Sequence, residues 1–168
     1  EQAAKIVTSK IQFPKGPVRP DDIAVIIGNS NYKKLGKDIP NVIPAYSDAE
    51  NMKHYFTQAL GVREGNIIHL RDATKAQLTS ILGSNEDHRG KLFNWTKPNV
   101  SKIYVYYVGH GAPAGDRRTA YLVPSDADSD TVQLTGYPLK QLYRNLGNIP
   151  AISITVILEA CFSGQSQN

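Results

Sequence analysis

KIYVYYVGHG, residues 102–111, runs seven strand-forming residues and stops on a histidine between two glycines. A continuous run of β-branched and aromatic residues, without a polar face, is what a strand buried on both sides requires. Working outward, the same character recurs in IAVIIG (23–28), NIIHLR (66–71) and ISITVIL (152–158), with AYLVP (120–124) as a shorter extra strand. Helical spacing fills the intervals. Ala49, Met52, Phe56 and Ala59/Leu60 predict a helix over about 48–60 that Gly61 stops, with Ser47 and Glu50 as a capping box. TKAQLTSIL (74–82) predicts a second helix, and DHRGKLFNW (87–95) a weaker one because of Gly90. PLKQLYRNLG (138–147) predicts another, with proline at its first position and a Leu139/Leu142/Tyr143/Leu146 face. Strands alternating with helices imply right-handed crossovers. The predicted fold class is therefore α/β, a three-layer αβα sandwich around a mainly parallel sheet.

At 168 residues the chain suits one domain over 21–168. Residues 1–20 form an extended, solvated lead-in broken by Pro14, Gly16, Pro17 and Pro20. The net charge is +4, but Lys33, Lys34, Lys37, Arg117 and Arg118 are scattered rather than striped, so nucleic acid is not an expected partner. No apolar run reaches the ~18 residues a membrane span needs. No signal peptide is visible either, and a cytoplasmic location is the expectation.

Two residues carry the chemistry. Cys161, the only cysteine, follows one predicted core strand, and His110 follows another. In parallel sheets, sites form in the loops beyond the carboxyl ends of strands. A thiol becomes a nucleophile when an imidazole stabilises its thiolate or takes its proton, and acyl transfer needs donors at the developing oxyanion. Gly109 and Gly111 would let the chain turn tightly beside a substrate. Other signals are weak. GNSN (28–31) lacks a phosphate-binding glycine pattern, and His54, His69 and His88 have no partners at metal-ligand spacing.

Gly109-His110-Gly111, followed about fifty residues later by Glu159-Ala160-Cys161-Phe162-Ser163-Gly164, resembles the paired motifs of caspase-like cysteine peptidases, nearest their metacaspase or orthocaspase branch. The resemblance spans 21–168 and implies the caspase-hemoglobinase fold, here as the large catalytic subunit. It implies that Cys161 is the nucleophile, that His110 is general base and acid, and that the N–H groups of Gly111 and Cys161 form the oxyanion hole. Caspases proper have glutamine two before the cysteine, whereas metacaspases have an acid there and cut after Arg or Lys. Glu159 stands at that position, and SDAENM (47–52) is similar to a metacaspase stretch whose aspartate also lines the specificity pocket. Asp48 and Glu159 are thus the expected substrate-binding pair. Legumain-type asparaginyl peptidases share the E-A-C-x-S-G run and remain an alternative, as does an inactive caspase-like interaction module.

Many metacaspases bind calcium. Asp126 stands where one of their acids does, but Thr135-Gly136-Tyr137 and Asn168 replace others, and a hard cation wants about six oxygen ligands. No metal or other cofactor is expected. The expected partners are peptide substrates and a small-subunit fragment of the same precursor, completing the sheet beside 152–158. Arg117-Arg118 would suit self-nicking.

Overall fold

The computed structural model describes residues 11–34, 38–113 and 119–162. The central sheet has four parallel strands, β1 (Ile23–Gly28), β2 (Ile67–Arg71), β3 (Lys102–Val108) and β7 (Ser153–Glu159), in the order β2-β1-β3-β7. Between them lie helices α1 (Ala45–Gln58), α2 (Lys75–Leu82), α3 (Lys91–Trp95), α4 (Val132–Thr135) and α5 (Leu139–Gly147). A second, antiparallel sheet joins β4 (Gly111–Pro113), β5 (Ala120–Leu122) and β6 (Tyr137–Pro138) in that order.

Side chains alternate across a strand, so each core strand feeds two layers. Ala24, Ile26, Tyr106 and Val108 face one way and pack with Ala45, Ala49 and Phe56 of α1. Ile23, Val25, Ile27, Val105 and Tyr107 face the other way, against Leu78 of α2, Leu92 of α3 and Leu142 of α5. The three-layer αβα architecture follows. Burial of a side chain such as Phe56, which is fully enclosed, contributes about 1.5–3 kcal/mol.

Several local readings change. Helix α1 starts at Ala45, three residues early, and Ser47 forms no capping box there. Its hydroxyl lies inside the first turn and donates to the Pro44 carbonyl at 2.8 Å. The reciprocal box is built instead at α2, where Gln77 N–H donates to Thr74 Oγ1 and Thr74 N–H to Gln77 Oε1. The helix expected over 87–95 shrinks to Lys91–Trp95, because Gly90 is extended at its N-cap, where an added side chain would strike the Ile81 carbonyl at 2.4 Å. Pro138 caps α5 in extended geometry rather than opening it. The run at 120–124 supplies β5 of the small sheet, and neither β4 nor α4 was legible beforehand.

The described part of the lead-in, residues 11–20, is mostly exposed yet touches the rest of the fold. Gly16 N–H bonds the Gln58 carbonyl at 2.8 Å, Arg19 bridges to Val62, and the Phe13 ring meets Tyr55 edge-on at 5.2 Å. Arg117-Arg118 and Ser163-Gly164 lie outside the described residues. No described helix is long and apolar enough to cross a membrane.

Candidate active site

Strands β3 and β7 run side by side with Val108 opposite Glu159. The ladder ends just beyond, where Gly109 N–H donates to the Glu159 carbonyl at 3.2 Å. His110 and Cys161 each lie two residues past that shared rung. Register therefore brings the two loops together at one end of the sheet. Cys161 is a free, exposed thiol.

The imidazole of His110 is oriented from a distant part of the chain. Its Nε2 lies 2.7 Å from the Pro40 carbonyl oxygen. A carbonyl can only accept, so Nε2 carries the proton and the basic lone pair belongs to Nδ1. The Tyr32 ring lies beside the imidazole, with centroids 4.8 Å apart and planes tilted by 55°. Tyr32 Oη accepts His110 N–H at 2.9 Å, and Tyr107 Oη donates to the His110 carbonyl at 2.7 Å.

The flanking glycines have a reason other than the conformational freedom the sequence suggests. Gly61 and Gly83 are the described glycines with positive φ, so neither Gly109 nor Gly111 needs that freedom. A Cβ on Gly109 would stand 2.7 Å from both the Tyr107 and Tyr32 hydroxyls. One on Gly111 would lie 2.4 Å from the Phe162 ring and 3.0 Å from the Cys161 carbonyl oxygen. Close approach by the protein's own groups excludes a side chain at each position. The second contact also places Gly111 directly against the Cys161 backbone.

On the α1 side of the sheet a cavity of about 370 Å³ holds both candidate carboxylates. Asp48 comes from the first turn of α1 and Glu159 from the end of β7, with Asn51, Met52, Tyr55, Tyr106 and Phe13 completing the wall. Tyr106 Oη donates to Glu159 Oε2. Burial, and then the negative charge of Glu159, raise the Asp48 pKa above the ordinary aspartate value. Burial and the same carboxylate push the Tyr106 phenol up as well, so it stays protonated as a donor. A second cavity of about 350 Å³ lies beside His110, walled by Pro40, Gly111, Ala112, Pro113 and Val132 among others.

Asp72, just after β2, ties its own loop to the loop after β1 and to α1. Its Oδ1 accepts Ser30 and Asn31 N–H, each at 2.9 Å, and its Oδ2 accepts the Tyr46 hydroxyl of α1. Among the described residues Asp126 belongs to no group of three or more acids, histidines or cysteines that could hold a metal ion. Its Oδ1 accepts Lys75 N–H at the start of α2, at 2.9 Å. Thr135 Oγ1 bonds the Asp128 and Thr131 carbonyls, and Tyr137 is buried with its hydroxyl on the Gly83 carbonyl. His69 sits on β2, where burial lowers its pKa, and His88 packs edge-on against Phe93.

Sequence reading missed Pro40, Tyr32, Tyr106, Tyr107 and Phe13 as neighbours of the site. The tyrosines in β3 read as core aromatics, which they also are. Pro40 and Tyr32 sit 70 and 78 residues from His110, and local pattern cannot carry such pairings.

Comparison with known proteins gives three findings. The caspase domain family matches residues 21–168. A crystal structure of protein GSU0716 from Geobacter sulfurreducens superposes with a TM-score of 0.64 at 20% identity, over 87% of this chain and 52% of that one. The likeness shows the fold, and the chain spans about half the length of that structure. No curated protein matches the sequence. With the family match covering nearly all of the chain and the paired strand ends in place, the chain belongs to the caspase domain family, a family of cysteine peptidases.

Proposed function

We propose that this chain is the catalytic domain of an endopeptidase that cleaves after basic residues, arginine before lysine, using Cys161 and His110. The observation that carries the reading is the shared rung: His110 and Cys161 stand two residues beyond the Val108–Glu159 pair, with Gly111 against the Cys161 backbone. The His110 tautomer fits the role. With Nε2–H engaged by Pro40, Nδ1 takes the thiol proton, and the resulting thiolate attacks the scissile carbonyl carbon. The N–H groups of Gly111 and Cys161 receive the oxyanion. The Nδ1 proton passes to the leaving amine as the C–N bond breaks, leaving a thioester. Water, deprotonated by the same nitrogen, then attacks the thioester, releases the acid and restores the thiol.

The Asp48–Glu159 cavity supports basic specificity. Two carboxylates in a half-buried cavity with an apolar wall attract a cation on a long methylene stem. A planar guanidinium can bond both acids at once, which an ammonium does less well. We also propose that a fragment of the same precursor pairs beside β7. Among the described residues β7 pairs only with β3, and Ile152 at its start is 58% exposed.

Peptides ending in Arg, Lys, Asn or Asp before a reporter amide test the reading. Wild type is expected to prefer Arg. Cys161→Ala and His110→Ala should each abolish turnover, since such residues act as a unit. Activity of either variant within tenfold of wild type would remove the assignment. Cleavage after Asn would place the specificity on the legumain side, and after Asp on the caspase side.

A further inference from the structure

We infer that Tyr32 and Tyr107 are positioning residues for His110, clamping its backbone from both sides so that Nδ1 is presented to Cys161. The inference rests on the dyad proposed above and goes beyond it.

Each phenol has one proton to give, and the distances say where it goes. Tyr32 Oη donates to the Val123 carbonyl at 3.0 Å, which leaves its oxygen to accept His110 N–H at 2.9 Å. Tyr107 Oη reaches the His110 carbonyl at 2.7 Å and the Val123 carbonyl at 3.1 Å, and the shorter contact is to His110. Val123 N–H donates to the same His110 carbonyl at 3.0 Å. Both amide groups of His110 are thus bound by Tyr32, Tyr107 and Val123, all of them buried. Both rings are fully enclosed, and burial raises their phenol pKa values, so the hydroxyls keep their protons at working pH.

Packing alone does not account for this arrangement. Phenylalanine would fill the same apolar volumes, and one partner would satisfy each hydroxyl. Here two hydroxyls from different strand-end segments converge on one residue, and Gly109 carries no side chain where they meet. The Tyr32 ring also flanks the imidazole, while Pro40 holds its Nε2 edge. Backbone, ring face and ring edge are each constrained. Without the phenols the Pro40 contact remains, but the histidine's Cα is free to shift relative to Cys161. Displacement of a catalytic group by ~1 Å can slow a reaction by about 100-fold.

The test uses Tyr32→Phe and Tyr107→Phe in the full chain, with Tyr143→Phe on the exposed face of α5 as control. Because Cys161 is the sole cysteine, alkylation by iodoacetamide reports its thiolate without ambiguity. Wild type should alkylate faster than His110→Ala at the same pH, because the dyad proposed above generates the thiolate. Both clamp variants should slow that alkylation towards the His110→Ala rate and lower kcat for an Arg substrate by roughly 10–100-fold, with KM within about twofold. Tyr143→Phe should change none of these. Folded variants that keep the wild-type alkylation rate and kcat, whatever their Tm, would show a merely structural role and overturn the clamp. If Tyr32→Phe does not fold, Tyr107→Phe decides alone, since it leaves the Tyr32–His110 bond in place. His110→Ala alkylating as fast as wild type would instead overturn the dyad itself, and the clamp with it, without reference to any tyrosine variant.

Discussion

Glu159 stands at the meeting of three constraints. Its backbone closes the β3–β7 ladder, one carboxylate oxygen accepts the Tyr106 hydroxyl, and its charge acts on Asp48 across the cavity. Under the proposed specificity, Glu159→Gln keeps the shape and the phenol contact but removes half of the pocket's charge. Breaking one charge-assisted contact costs about 2–3 kcal/mol, so kcat/KM for Arg substrates should fall roughly 30–150-fold. The alkylation rate of Cys161 should stay near wild type, which separates a pocket effect from a nucleophile effect. Asp48 adds a pH signature. Its raised pKa means that the free enzyme loses this negative charge at a pH above the ordinary value of 3.8. As pH falls through the raised value, attraction for a cationic side chain weakens and kcat/KM declines. Asp48→Asn should abolish that acid limb while lowering the plateau. A limb that persists unchanged in the variant would assign the titration elsewhere.

At the scale of elements, Asp72 is the junction that holds the strand-end loops in register. It follows β2 with φ of 51°, a left-handed conformation that Asp and Asn tolerate better than most residues. Its partners come from the loop after β1 and from α1. Burial pushes its pKa up, but hydrogen bonds from Tyr46, Asn31 and Ser30, with the charge of Lys34, outweigh that and leave it lowered. The sign follows from linkage. A folded pKa below the unfolded one gives stability present above the ordinary carboxylate value and lost as pH falls through the folded value. Asp72→Asn tolerates the same backbone and removes only the charge. It should destabilise the chain by about 1–3 kcal/mol at neutral pH. The gap in Tm between variant and wild type should close as the medium is acidified below pH ~3.8, and a gap independent of pH would contradict the role given to the carboxylate.

At the scale of the whole molecule, the edge of β7 that has no pairing among the described residues is where the proposed companion fragment would add. Its residues Ile154, Val156, Ile157 and Leu158 are only partly buried, whereas every residue of β1 is buried. Hydrogen exchange on the chain at low concentration should show protection alternating along Ser153–Glu159, because β3 satisfies only one edge of a parallel strand. The fast-exchanging amides should slow when the companion fragment is added. Uniform protection in the monomer alone would mean that the edge is already covered, and would remove the pairing proposal.

The core strands were legible because buried parallel strands are nearly continuous apolar runs, and 23–28 and 102–108 fall on β1 and β3 residue for residue. Placement of His110 and Cys161 beyond strand ends was legible for the same reason. Helix starts were less so. Ser47 with Glu50 reads as a capping box in sequence, yet the box forms at Thr74, because only the course of the preceding loop decides which hydroxyl faces the free N–H groups. The sequence by itself determined the strands, the layers and the placement of a histidine and a cysteine beyond strand ends, since these depend on residue type and spacing. Tertiary structure alone decided which imidazole nitrogen is basic, why Gly109 and Gly111 carry no side chain, and that adjacent Tyr106 and Tyr107 serve different places. Strand alternation sends Tyr106 to the acidic cavity and Tyr107 beneath His110, but what waits on each face comes from segments tens of residues away, brought there only by the packed fold.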